Sequence, residues 1–251
     1  MAKPIAVLIA LLPLCLLVQA DDDDQGGAKC AGLPSDSQLK TLLKQAPTTG
    51  AGGDAGGLFH GTKMWGAIVN ANGELCALAV STDDPRGTWP GSQAIAKAKA
   101  YTANAFSLDD FALSTARLYT FTQPGRSLNS LGQSNPFDPQ FLAAPAQNGS
   151  SGKGKNAIAG GMIFFGGGVP LYKNGKIVGA LGVSGDTSCA DHEIAKRVRH
   201  IGLMDPAGGP GVDDILYTSV DGPSFFAHPT CINTWRNGVN LNKTEQPATT
   251  Y

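Results

Sequence analysis

Two segments that pair a tight-turn dipeptide with apolar flanks constrain the fold more than any other feature of this chain. Residues 65–80 contain Asn72-Gly73, and residues 169–183 contain Asn174-Gly175. Asn-Gly accommodates the left-handed backbone that a two-residue hairpin turn requires, and at positions 72–73 we expect a type I′ turn. Both segments are therefore predicted to be β-hairpins.

Helices are predicted between and beside these hairpins. The first is capped by Ser35 or Asp36, carries apolar residues at helical spacing, and ends at Pro47. The others are 92–106, capped by Ser92; 107–119, opened by a capping box at Ser107; and 188–201, capped by Thr187 or Ser188. Residues 160–165 read as a buried strand. Hairpins joined by helices predict an α+β fold, with helices packed on an antiparallel sheet.

The first 20 residues read as a cleavable export signal. Lys3 is followed by an apolar run over 5–18 and by Val-Gln-Ala, and four aspartates come next. A membrane anchor is the alternative, but Pro13 interrupts the run, which is also short for a span. Cleavage would leave about 231 residues, enough for one domain with a full core. We therefore expect a periplasmic or secreted protein.

Four cysteines remain after this cleavage, and an even number in an oxidising compartment predicts two disulfides. Three pairings are possible. We favour Cys30–Cys76, which would tie the N-terminal segment to a strand, and Cys189–Cys231, which would tie the C-terminal tail to the start of a helix.

Composition and charge exclude several classes of function. The net charge of −1 becomes −2 without Lys3, and no basic surplus exists to neutralise the phosphates of a nucleic acid. After the signal, no apolar run approaches the 18 residues of a membrane span. The chain also lacks the nucleophile elbow of serine hydrolases, the glycine-rich nucleotide motifs and the spaced histidine pair of zinc enzymes.

Two of the four histidines are candidate ligands. His192 stands between two acidic residues at a predicted helix start, so it either belongs to a solvated first turn or faces a pocket and ligates a metal or haem iron. His228 would lie near His192 if Cys189 and Cys231 are bonded. His60, in a glycine-rich loop, and His200, at a helix end, are expected to be structural.

A lysine-rich helix offers a further candidate group. Lys97 and Tyr101 share one helix face, and Lys99 lies on another. These residues either form a solvated face, or Lys99 and Tyr101 help to bind a ligand carboxylate such as a haem propionate.

The segments outside these elements are long. Residues 123–156 are rich in Pro, Gly, Ser and Asn, and their length predicts a lid or a covering arm rather than a passive connector. Residues 205–251 read as a tail wrapped over the domain and anchored by Cys231.

Two blocks resemble the GlcG/HbpS-like haem-binding proteins. Residues 96–103 read Ala-Lys-Ala-Lys-Ala-Tyr-Thr-Ala, similar to the lysine- and alanine-rich helix of that family. Residues 166–186 contain Gly-Gly-Gly-Val-Pro-Leu-Tyr and Gly-Ala-Leu-Gly-Val-Ser-Gly-Asp, similar to its glycine-rich hairpin. The resemblance covers roughly residues 62–203.

The resemblance implies a profilin-like α/β domain that assembles into homo-oligomers. It also implies haem or a related tetrapyrrole as the ligand. It transfers no active site, because the family has no uniform catalytic constellation. On this basis we divide the chain into a signal peptide (1–20), an N-terminal extension with a helix (21–61), the family domain (62–203) and a C-terminal tail (204–251).

The leading hypothesis is an exported haem-binding protein rather than an enzyme. Its candidate binding residues are His192, His228, Lys99 and Tyr101, with His192 as the metal ligand. The alternatives are an enzyme or accessory subunit that handles a small periplasmic metabolite alongside a dehydrogenase, and a structural subunit of a larger assembly.

Overall fold

The computed structural model describes residues 29–49, 53–138, 158, 160–242 and 244–248. The predicted export signal and the second half of the 123–156 loop, with its proposed lid role, lie outside the described residues. Within the described part of the chain, no helix is both long enough and apolar enough to cross a membrane.

The main elements, in chain order, are α1 (Asp36–Gln45), β1 (Trp65–Asn70), β2 (Leu75–Val80), α2 (Ser92–Ala105), β3 (Gly168–Lys173), β4 (Lys176–Ser184) and α3 (Ser188–Ile201). The tail adds the short elements β5 (Leu216–Tyr217), α4 (Thr218–Asp221), β6 (Ala227–His228), β7 (Trp235–Arg236) and β8 (Val239–Asn240). Short 3-10 turns occupy Ala46–Thr48, Pro85–Gly87, Thr115–Leu118 and Thr120–Thr122.

The four long strands form one antiparallel sheet in the order β2-β1-β4-β3. Ile68 of β1 lies opposite Ala77 of β2 and opposite Leu181 of β4, so the two hairpins join through their inner strands. The predicted hairpins and the α+β fold class are confirmed.

Both faces of the sheet are covered by helices. Successive side chains of a strand point to opposite sides, so each face presents its own set of side chains to a helix. Helices α1 and α3 pack on one face around Ile68 and Leu181. Helix α2 packs on the other face through its alanines. At Gly182 an added Cβ would lie only 2.0 Å from the carbonyl oxygen of Ala96, so the α2 backbone passes directly over β4.

The two hairpin turns differ. Asn174 and Gly175 have φ of 51° and 74°, the left-handed pair of a type I′ turn. In the first hairpin only Gly73 is left-handed, so the type I′ expectation is wrong there. The side chain of Asn70 instead accepts hydrogen bonds from the backbone N–H groups of Asn72 and Glu74. This side-chain bridge replaces the second left-handed residue.

Three local predictions are wrong. Gly91, not Ser92, precedes α2 and caps it without a side-chain bond. Residues 107–119 do not form an α-helix, since the Ser107 hydroxyl bonds the N–H and carbonyl of Leu113 and closes a turn. Residues 160–165 are not a strand, because Gly160 and Gly161 are left-handed, with φ of 64° and 70°.

The other helix predictions hold. Ser35 caps α1 with a complete capping box, and Thr187 caps α3 by accepting a bond from the N–H of Ala190. The two disulfides are the favoured ones, Cys30–Cys76 and Cys189–Cys231. The second fixes the tail to the start of α3.

Candidate functional site

Helix α3 carries an unusual number of buried charged and polar side chains. Six of them are at most 5% exposed: Asp191, His192, Glu193, Lys196, Arg197 and Arg199. Buried charges require partners, and the segments that contact α3 supply these partners. A solvated first turn, the alternative for His192, is therefore excluded by burial.

Lys99 and Asp191 form one of these buried pairs. Lys99 Nζ donates to Asp191 Oδ2 at 2.7 Å and to the carbonyl of Val183 at 3.0 Å. Its charge also lies 4.8 Å from the centre of the Phe165 ring. Burial raises the pKa of Asp191 to about 6, although Lys99 pulls it down. The pair links α2 to the first turn of α3 beside the end of β4.

The solvated lysine face, one of the two alternatives for α2, is excluded by the burial of both lysines. Lys97 is 2% exposed and Lys99 is fully buried. Burial lowers the pKa of both amines. Lys99 already holds an internal carboxylate, so binding a ligand carboxylate would require it to leave Asp191.

His192 lies beside a carboxylate from the tail. Its Nε2 is 3.3 Å from Asp214 Oδ1, and Lys196 donates to the same carboxylate at 2.9 Å. Burial opposes ionisation of Asp214, but His192 and Lys196 together lower its pKa. The Nδ1 of His192 has no hydrogen bond to a described residue. His192 therefore keeps a buried nitrogen with unused bonding capacity.

His228 is held on both sides of its ring. Nδ1 lies 2.7 Å from the carbonyl of Pro229, and Nε2 accepts a bond from the N–H of Gly166 at 3.2 Å. The ring packs against Tyr119 at 5.2 Å between centroids. Burial lowers the pKa of His228 to about 3. It is a neutral imidazole whose two nitrogens are both used.

The structure brings His192 and His228 to the same place, as the disulfide led us to expect. Both border Gly166: its N–H bonds His228, and an added Cβ would lie 2.9 Å from the Cβ of His192. Each imidazole is 1% exposed. The two histidines meet in a packed interior rather than at an open slot.

Tyr101 is not part of this group. It is half-buried on α2, and its ring lies against Gly73 at the turn of the first hairpin. Cys189 and Cys231 do lie beside His228, within the spacing of a metal site. Their sulfurs are bonded to each other, however, so they are not available as thiolate ligands.

The two histidines expected to be structural lie at the surface. The side chains of His60 and His200 are each 59% accessible. In each case Nδ1 faces a carboxylate, Asp54 at 2.5 Å for His60 and Asp205 at 2.6 Å for His200. A carboxylate that fixes Nδ1 leaves Nε2 for an external ligand. No spacing in the sequence indicated either pair.

Three cavities border these regions. One of about 610 Å³ lies between α1 and the end of β3, and no histidine lines it. One of about 260 Å³ contains His200 with Lys196 and Arg197. One of about 390 Å³ contains His60 and Asp54.

The family of the chain follows from comparison with known proteins. A family described as haem degrading protein HbpS-like matches residues 46–199. The chain belongs to this HbpS-like family. The matched range contains α2, both hairpins and nearly all of α3, which carry the two sequence blocks described above.

Solved structures similar to this chain share little sequence with it. Protein ORFY of Klebsiella pneumoniae is 20% identical, with 66% of this chain and 86% of that chain covered and a TM-score of 0.45. A PduOC–haem complex is 22% identical, with 66% and 90% covered and a TM-score of 0.43. A double mutant of HbpS from Streptomyces reticuli is 18% identical, with 79% and 98% covered and a TM-score of 0.37. No curated protein matches the chain.

Proposed function

We propose that this HbpS-like protein binds haem. The observation that carries the proposal is the family match over residues 46–199, since that family is described by its action on haem. Haem needs an imidazole or similar donor for its iron, apolar surface for the macrocycle and cations for its propionates.

The chemistry of the available groups is compatible with such a ligand. His60 presents an imidazole whose Nδ1 is already held by a carboxylate. Large apolar side chains lie exposed near it, with Leu58 50% and Trp89 49% accessible. When bound, haem would supply an iron that an imidazole nitrogen can ligate. These groups support binding without any rearrangement of the core.

The role of His192, His228 and Lys99 in binding stays a prediction. Lys99 and His228 already have protein partners, and His192 is enclosed. Haem at this location would require the 163–167 segment or the tail to move. The unused nitrogen of His192 is the one feature that favours this second location.

Export and self-assembly belong to the same proposal. The two disulfides are compatible with an oxidising compartment, and the signal-like residues 1–20 supply a route to it. Assembly into homo-oligomers remains an expectation from the family resemblance.

A hemin titration of the oxidised chain without residues 1–20 tests the proposal. We expect a saturable shift of the Soret band with an end point near one haem per chain. A spectrum identical to that of free hemin at every protein concentration would contradict it. Ascorbate is then added to the complex in air. Decay of the Soret band would show that the protein degrades haem as well as binding it.

A further inference from the structure

His60 combines exposure with a fixed orientation. Its Nδ1 lies 2.5 Å from Asp54 Oδ2, and its side chain is 59% accessible. Asp54 is itself oriented, since its other oxygen accepts the N–H of Gly56 at 2.9 Å. The protein therefore fixes the orientation of this imidazole, while no described residue bonds its Nε2.

The backbone at His60 is left-handed, with φ of 57°. A residue with a side chain rarely adopts this conformation unless its surroundings impose it. Here the preceding residues are clamped: the N–H groups of Leu58 and Phe59 donate to the Asp186 carboxylate at 2.6 and 2.7 Å. Strain kept in place by buried anchors is typical of binding positions.

The buried guanidinium of Arg197 bonds three residues that line the neighbouring cavity. Arg197 is 5% exposed and donates to the carbonyls of Pro47, Gly53 and Asp54 at 2.8–3.1 Å. Pro47, Gly53 and Asp54 line the cavity of about 390 Å³ that contains His60. A preformed recess beside an oriented imidazole lowers the entropy cost of binding.

Residues next to His60 carry aromatic side chains and an amine, which lie outside the lining of the cavity. Phe59 and Trp89 pack edge to face at 5.3 Å, and Trp89 is half exposed. Lys63 lies 4.6 Å from the centre of the Phe59 ring. Aromatic surface suits the macrocycle, and the amine is a cation for a propionate.

His200 is a natural comparison, because its exposure and carboxylate contact match those of His60. Its surroundings differ in two respects. Asp205 also faces Arg199 at 3.4 Å, so its charge is shared. His200 also lies within α3 and lacks the left-handed backbone of His60. The cations in its cavity, Lys196 and Arg197, are ion-paired with Glu193.

We infer that His60 would ligate the haem iron and that Asp54 positions it. This inference rests on the proposed haem binding. A carboxylate on the outer nitrogen increases the basicity of a ligating imidazole and stabilises the oxidised metal. Asp54 is thus a positioning residue that also tunes the bound iron.

The test compares His60→Gly with His200→Ala in hemin titrations. Glycine removes the imidazole and tolerates the left-handed backbone, so the variant should fold. We expect the affinity of His60→Gly for hemin to fall roughly tenfold or more, while His200→Ala behaves as wild type. Free imidazole added to the His60→Gly complex should restore the wild-type Soret and electron paramagnetic resonance spectra.

Asp54→Asn tests the positioning role. An amide keeps the bond to Gly56 but carries no charge. We expect a higher midpoint potential of the bound haem, with the iron still imidazole-ligated. An unchanged potential would contradict the role of Asp54.

The outcomes separate this inference from the proposed function. Wild-type binding with an unaffected His60→Gly spectrum would overturn the assignment and leave haem binding intact. Loss of the Soret shift in His192→Ala alone would place haem in the buried location and overturn it as well. No binding by the wild type would overturn both the function and the ligand.

Discussion

At the scale of single residues, the fold holds His228 neutral. Its Nε2 accepts a backbone N–H and its ring is fully buried, so protonation would cost both a hydrogen bond and desolvation. Burial lowers its pKa from 6.5 to about 3. Between these two values the unfolded chain binds a proton that the folded chain does not.

This linkage makes stability depend on pH. The contribution of His228 is fully present above pH 6.5 and is lost as pH falls from 6.5 towards 3. We expect the free energy of unfolding to fall by about 1.4 kcal/mol per pH unit from this residue within that window. We would measure the free energy of unfolding of wild type and of His228→Gln by urea titration between pH 4.5 and 7. The slope of this free energy against pH should be smaller in the variant by the amount that corresponds to about one bound proton. Equal slopes would contradict the account.

Lys99 and Asp191 form a buried ion pair that links α2 to the first turn of α3. Lys99→Met leaves Asp191 buried without its cation, and we expect this to cost about 3–5 kcal/mol at pH 7. The pKa of Asp191 is already raised to about 6, so at pH 5 the carboxyl is protonated in the folded state and the loss relative to wild type is smaller.

The double variant Lys99→Met with Asp191→Asn provides the control. Asparagine keeps an oxygen for the N–H of Asp186, which donates to Asp191 at 2.9 Å. We expect the double variant to be more stable than Lys99→Met at pH 7 in urea unfolding. If it were less stable, the cost would arise from lost packing of the lysine stem rather than from an unpaired charge.

The sequence predicted which residues lie close together better than it predicted whether those residues are buried or exposed. The proximity of His192 and His228 followed from a correctly chosen disulfide. The burial of Lys99 could not be predicted, because its partner Asp191 lies 92 positions away. The exposure of His60 depends on a loop conformation that is fixed by Asp186 and Arg197, both distant in sequence.

At the scale of elements, most local patterns predicted the structure, and one was overridden by a side-chain contact. The Asn-Gly hairpins and the capped helices α1 and α3 each combine periodic apolar residues with a terminal signal. The segment 107–119 also has a cap-like serine and apolar residues at helical spacing. The Ser107 hydroxyl instead closes a turn onto Leu113, and no α-helix forms.

The contact between α2 and β4 depends on the absence of a side chain at Gly182. An added Cβ would lie 2.0 Å from the Ala96 oxygen, which is backbone and cannot rotate away. We expect Gly182→Ala to cost at least about 3 kcal/mol by separating the helix from the sheet.

Gly91→Ala is the matched substitution, since no atom lies within 4 Å of its added Cβ. It should leave the stability within about 0.5 kcal/mol of wild type. Thermal and urea unfolding of the two variants measure the difference. A Gly182→Ala protein as stable as Gly91→Ala would show that α2 does not pack as described.

At the scale of the whole molecule, the tail is joined to the domain by a disulfide and by buried ion pairs. Cys231 bonds Cys189, and Asp213 forms a two-pronged contact with Arg199 at 2.7 and 2.9 Å. The tail thereby closes over α3 and completes the enclosure of His192. The prediction of an anchored tail rested on the cysteine count, but the ion pairs were not foreseen.

Removing the Cys189–Cys231 bond, which spans 42 positions, should cost about 4 kcal/mol in the double alanine variant. Removing Cys30–Cys76, which spans 46, should cost a similar amount. Hydrogen exchange distinguishes the two variants. Only the first should speed exchange across residues 212–236, and equal protection of that segment in both variants would contradict the anchoring role of the bond.

Native mass spectrometry of the oxidised chain, without residues 1–20, mixed with hemin measures haem binding and its stoichiometry together. We predict a mass increase of one haem for each polypeptide, retained in the His200→Ala variant and diminished in His60→Gly. A spectrum that contains only the unmodified polypeptide mass, at hemin concentrations well above those of the protein, would contradict it.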